Sequence, residues 1–109
     1  MGKFIKGEIV VIPFPFSDLS GSKKRPALVL ADLDGDDILL CQITSQNGRD
    51  RHAISLCSKD FATGSLPVDS FIRPARIFTA HKGIIVRKAG VVNGGIMVSV
   101  TQKIFDILK

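Results

Sequence analysis

Arg25 is the first residue whose type and setting point to chemistry. It stands where the loop Gly21-Ser22-Lys23-Lys24 runs straight into the apolar stretch Ala27-Leu28-Val29-Leu30, with Pro26 between. Proline fixes its own φ and biases the preceding residue towards extended backbone, so the Arg25 guanidinium is expected at the rigid lip of a sheet. A planar, permanently charged fork in that position suits a phosphate or a carboxylate. Thr44 is the second. It ends an apolar run and opens Thr44-Ser45-Gln46-Asn47, small polar groups next to a turn carrying Arg49 and Arg51. Hydroxyls and amides at a strand end donate to phosphate oxygens or read base edges. A plainer reading stands beside each: a surface arginine at a strand start, and a threonine that hydrogen-bonds its own turn.

The usual proton shuttles are less well placed. His52 follows Asp50-Arg51 at a loop end and His81 precedes Lys82-Gly83 in a turn, neither in a catalytic pattern, so each reads as structural or exposed in preference to an essential base. Cys41 and Cys57 lie in apolar runs without CxxC or metal-ligand spacing. They read as buried, reduced thiols of a cytoplasmic protein, and burial in an apolar strand disfavours a nucleophilic thiolate. Phe14 and Phe16 occupy the turn-rich segment between Pro13 and Ser22. They either fold back onto the core or line a binding groove.

The elements that must position these residues are short. With 109 residues, 45% hydrophobic and 23% charged, the chain is one globular domain spanning 1–109. Its net charge of +5 favours anionic partners, nucleic acid above all, although with no Trp or Tyr only seven Phe and two His are available for stacking on bases. Neither a signal-peptide core nor an apolar run of about 20 residues is present, which predicts a cytoplasmic protein without a membrane partner. Strands are expected over 8–13, 25–31, 38–44 and 52–57, with two short pieces over 69–74 and 75–79 and strand again over 83–92. Asp34-Gly35 predicts a hairpin turn, and Ser58-Lys59-Asp60-Phe61 a single helical turn capped by Ser58. Ile96, Met97, Val100, Ile104, Ile107 and Leu108 recur at helical spacing behind Asn93, a candidate N-cap. The sum is a mainly β protein, a strongly bent sheet or partly open barrel with a C-terminal helix.

Four blocks, in this order and spacing, resemble the PemK/MazF toxin family. They are Lys6-Gly7-Glu8-Ile9-Val10, Lys24-Arg25-Pro26-Ala27-Leu28-Val29-Leu30, Ile43-Thr44-Ser45-Gln46, and Leu66 through Thr79 with its Phe71-Ile72-Arg73-Pro74-Ala75 centre. With the terminal helix they cover nearly the whole chain. The resemblance implies a small SH3-like barrel of the CcdB/PemK type, paired as a homodimer. It implies an endoribonuclease without metal or cofactor that cuts single-stranded mRNA at short motifs, leaving 2′,3′-cyclic phosphate and 5′-hydroxyl ends. It also implies a cognate antitoxin whose tail blocks the RNA groove, and contact with DNA only indirectly, through the antitoxin complex.

Arg25 and Thr44 fall on the positions the resemblance makes catalytic. Arg73 falls on an arginine that is catalytic in another branch, where an acid follows two residues later; Ala75 stands there instead, which favours the Arg/Thr site and leaves the general base unassigned. RNA contacts are expected from Phe16, Ser22, Lys24, Ser45, Gln46, Arg49, Arg51, Asp69, Ser70 and Arg73. Two other functions share the barrel: a gyrase poison that does not cut RNA, and a passive SH3-like binding module.

Overall fold

A computed structural model describes residues 3–14, 23–46 and 48–109, so Phe16 and Ser22 lie outside the described residues. Strands β1 (Glu8–Phe14), β2 (Lys23–Asp32), β3 (Asp37–Thr44), β4 (Ile54–Leu56), β5 (Phe61–Gly64), β6 (Ser70–His81) and β7 (Arg87–Val92) precede helix α1 (Gly94–Leu108). Single 3₁₀ turns occupy Ser58–Asp60 and Lys82–Ile84. The strands form one antiparallel sheet in the order β4-β6-β3-β2-β1-β7-β5, curled into a half-barrel.

The apolar runs of the central strands do not alternate with polar residues because both faces of the sheet are covered. On one face Ile9, Leu28, Cys41, Ile43 and Ile72 pack with Val92 and with Ile96 and Val100 of α1. On the other, Val10, Ile12, Ala27, Val29, Ile38 and Leu40 pack beneath Phe4, Phe78 and Ile85. A strand buried on both sides reads as a continuous hydrophobic run. The β2–β3 hairpin turns through Asp34 at φ 65° and Gly35 at φ 58°, two left-handed residues of the Asp34-Gly35-Asp36 loop that the Leu33 N–H closes by donating to the Asp37 carbonyl at 3.2 Å. Helix α1 starts as its sequence predicts, with Asn93 Oδ1 accepting the Ile96 N–H at 3.0 Å. Among the described residues no helix is long and apolar enough to cross a membrane.

Three local expectations are corrected. The two pieces expected over 69–79 are one strand, β6, running through Pro74. Its pairing with β3 shifts register there, from Cys41–Ile77 to Ile43–Ile72, so the missing proline N–H falls in a bulge instead of a ladder. The 3₁₀ turn is capped at Cys57, not Ser58, because the Asp60 carboxylate reaches back to accept the Cys57 N–H at 2.8 Å. Phe61–Gly64, expected only as the end of that turn and a breaker, is the edge strand β5. It pairs with β7 so closely that a Cβ on Gly64 would strike the Ala89 carbonyl.

Candidate functional site

The site opens where two neighbouring strands part. The β2–β3 ladder runs from Asp32–Ile38 to Ala27–Gln42 and stops one residue short of Pro26. Proline has no N–H to offer a ladder, and on the β1 side Pro26 is still held opposite Val11. Arg25 and Thr44 each lie two residues beyond the last rung, Ala27–Gln42, on the two strands that part there. Beyond the last rung Lys23, Lys24, Arg25 and Pro26 form one wall of an open cleft of about 620 Å³, and Ile43, Thr44, Ser45 and Gln46 form the other. Leu66, Val68 and Ser70 line it at the start of β6, and Val86 and Arg87 at the start of β7.

Among the described residues the lining carries four cationic side chains, Lys23, Lys24, Arg25 and Arg87, and no carboxylate. Three acids are engaged elsewhere: Asp32 with Lys82 at 2.7 Å, Glu8 with Lys88 at 3.0 Å and Asp50 with Arg73 at 2.8 Å. The described lining therefore presents one sign of charge between low-dielectric walls, which concentrates a polyanion. Arg25 is half-buried, with its Nε withdrawn from solvent, so less side-chain freedom remains to be lost on binding. Thr44 Oγ1 accepts the Gln46 N–H at 3.2 Å. That bond fixes the oxygen and leaves the hydroxyl proton to be donated, so turn-bonding and a ligand contact coexist in one side chain.

The structure brings together Arg25, Thr44, Lys24, Ser45, Gln46 and Ser70 of the residues singled out in the sequence. Ser70 is buried and donates its hydroxyl to the Val68 carbonyl at 3.0 Å, which shapes the rim. Asp69 is exposed beside that rim, outside the lining. Arg49 and Arg51 are exposed on the β3–β4 loop and also lie outside it. Arg73 is not in this cleft; it lines a second depression with Gln42, Arg76, Phe78 and His81, and its Nε–H is given to Asp50. Lys23 and Arg87 were missed. Lys23 carried a legible signal, the basic run into Arg25, whereas Arg87 reaches the cleft only because β7 pairs with β1 and sets it opposite Val11.

Neither histidine lines the cleft. His81 accepts the Gly83 N–H on Nδ1 at 2.8 Å and so caps its 3₁₀ turn. Cys41 is fully buried, and desolvation pushes its thiol up to about 12; Sγ–H donates to the Arg73 carbonyl. Cys57 is a free thiol, half-buried at the cap of the other 3₁₀ turn and not enclosed in a strand.

Residues 5–108 match the family described as the PemK-like, MazF-like toxin of the type II toxin–antitoxin system. No curated protein sequence gives a significant match. Among solved structures, an endoribonuclease in complex with its cognate antitoxin from a mycobacterial species is 16% identical, with a TM-score of 0.72 over 99% of this chain and 95% of that one. MazF from Deinococcus radiodurans is 17% identical, with a TM-score of 0.73 over 99% and 98%. The Mycobacterium tuberculosis toxin MazF-mt6 is 13% identical, with a TM-score of 0.73 over 93% and 95%. At such identities the likeness is one of fold.

Proposed function

Because this chain belongs to the family of PemK-like, MazF-like toxins of type II toxin–antitoxin systems, we propose that it is an endoribonuclease acting on single-stranded mRNA at short sequence motifs. The observation that supports the reading is that Arg25 and Thr44 line one cleft whose described residues include four cations and no acid. RNA brings its own nucleophile, the 2′-hydroxyl, so the protein has to hold the scissile phosphate in line and stabilise the charge that builds on it. Arg25 spans the non-bridging oxygens with its fork, and Thr44 donates its hydroxyl proton to one of them. Attack of the 2′-oxygen on phosphorus breaks the bond to the 5′-oxygen; the 2′-hydroxyl gives its proton to water and the departing 5′-oxygen takes one from water, leaving a 2′,3′-cyclic phosphate and a 5′-hydroxyl. Side-chain cations supply the charge, so the reaction proceeds without a metal ion. Lys23, Lys24 and Arg87 hold flanking phosphates, while Ser45, Gln46 and the Leu66–Val68 rim meet the unstacked bases.

The cleft also suits an acidic segment of a cognate antitoxin, which would compete with RNA for the same cations; the mycobacterial relative is seen with its antitoxin. Contact with DNA would come through that complex. A two-fold pair of chains would double the length of basic surface, and we take the homodimer as the active form. Purified protein incubated with a long single-stranded RNA in EDTA should give fragments with cyclic-phosphate and 5′-hydroxyl ends, and a substrate with deoxyribose at the cut should stay intact. An inert protein, or one that cuts the deoxy substrate, would overturn the assignment.

A further inference from the structure

The β3–β4 loop carries an unusual acid. Gly48, Arg49 and Arg51 are exposed, yet between them the Asp50 side chain is only 6% exposed. Burying a carboxylate in a surface loop costs desolvation unless every lone pair has a partner. Asp50 Oδ2 accepts the Arg73 Nε–H of β6 at 2.8 Å, and Oδ1 accepts the His52 N–H at 2.9 Å. Its backbone carbonyl takes the Ala53 N–H at 3.3 Å. The Arg73 carbonyl in turn accepts the buried Cys41 thiol at 3.0 Å, so the strut is seated on the core. The Arg73 guanidinium beside Asp50 also holds that carboxyl below its usual range, which keeps it charged.

The other end of the same loop is Thr44-Ser45-Gln46, one wall of the cleft. Thr44 lies opposite Phe71 on β6, two residues from Arg73. The loop is thus pinned to one strand at its start, by the ladder at Thr44, and again past its middle, by the ion pair at Asp50. We propose that Asp50 is a positioning residue for the RNA site, locking the loop onto Arg73 so that Ser45 and Gln46 stand in the cleft beside Arg25. This rests on the nuclease reading. It also gives Arg73 a partner within the fold in place of a phosphate.

The sign of one substitution separates the two roles of Arg73. Asp50→Ala removes a negative charge, which by itself strengthens binding of a polyanion. If Arg73 held RNA directly, releasing it from Asp50 would leave cleavage equal or faster. A positioning role predicts the opposite, a fall of about 10- to 100-fold in kcat/KM, the scale of a displacement near 1 Å at a reacting centre. The test measures kcat and KM in EDTA on a short fluorogenic RNA carrying a cut mapped on a longer transcript. Wild type, Asp50→Ala, Asp50→Asn, Arg73→Ala, Arg73→Gln and the Asp50→Ala/Arg73→Ala pair are compared, each shown folded by a thermal melt, with Asp50→Asn standing in if the alanine does not fold. Both alanine variants should lose activity to a similar degree and the pair should lose no more than either, since a shared interaction is lost only once. Arg73→Gln should recover most of the loss, because its amide still donates to Asp50 while offering no charge to a phosphate. Asp50 variants that cut as fast as wild type, or Arg73→Gln as impaired as Arg73→Ala, would overturn the proposal alone. A wild type that does not cut would overturn the nuclease reading and the proposal with it.

Discussion

Arg25 and Thr44 have separable contributions. Arg25→Ala should abolish RNA cleavage with the fold retained, and Arg25→Lys should fare nearly as badly, because an ammonium keeps the charge and loses the planar fork. Thr44→Val keeps the shape and removes the hydroxyl, and with it the oxygen that accepts the Gln46 N–H. A loss of about 10²-fold or more in kcat, on the order of 3 kcal/mol, is expected, as for removal of one donor to a developing oxyanion. Single-turnover cleavage assays check both. Near-wild-type cutting by Arg25→Ala would place the chemistry elsewhere. His81→Ala belongs in the same series and should keep substantial activity, since its ring nitrogen serves a 3₁₀ turn outside the cleft.

At the scale of elements, the ladder between β2 and β3 both opens the cleft and braces it at the far end. Beyond the hairpin turn Lys82 Nζ reaches Asp32 Oδ1 at 2.7 Å and the Gly35 carbonyl at 2.8 Å, tying the β2–β3 hairpin to the link before β7. The Lys82 hydrogen bond, helped by the Asp34 N–H, lowers the Asp32 carboxyl to about 2, against about 3.9 in an unfolded chain. A carboxylate whose folded pKa is depressed stabilises the native state above the unfolded value and loses that contribution as pH falls towards the folded one. Lys82→Met should therefore melt below wild type at pH 6, and the gap should close as pH drops from about 4 to 2. A gap that is constant across that range would remove the ion pair as its cause. At the other end of the chain, Asn93→Ala deletes the α1 cap and should cost about 1 kcal/mol. In a domain of this size that is a fall of about 4 °C in Tm, read by circular dichroism.

For the whole molecule, the distribution of charge matters more than its net value of +5. Four cations among the described residues line the cleft, so the slope of log K against log salt for single-stranded RNA should be near −3, about 0.7 per phosphate contact. Arg87→Ala should lower it by about one contact, whereas Arg49→Ala, outside the cleft, should leave it nearly unchanged. Titration of a non-cleavable RNA at several salt concentrations measures these slopes, and an equal effect of both variants would mean that RNA extends over the loop. The homodimer is tested on the same scale: sedimentation at micromolar concentration should find no fully active monomer.

The residues of the site were legible where local chemistry dictates local geometry. Pro26 constrains Arg25 through its ring, Asp34-Gly35 allows a turn with two positive φ angles, and Asn93 offers a side-chain acceptor to the first turn of α1. These effects act over a few residues and survive any tertiary context. The apolar runs around Ile9, Leu28 and Leu40 likewise announced buried strands, though not which face met the helix. Contacts set by pairing across the sheet were not legible. Arg87 joins the cleft because β7 returns beside β1, and Pro74 is tolerated inside β6 because the register with β3 shifts at that point. For Arg73, only the approach of a loop more than 20 residues away in sequence gives the guanidinium a carboxylate. A sequence specifies the donors, acceptors and allowed φ angles of each residue. Which of them meet is decided by strand order and register, cooperative properties of the whole sheet that no single stretch encodes.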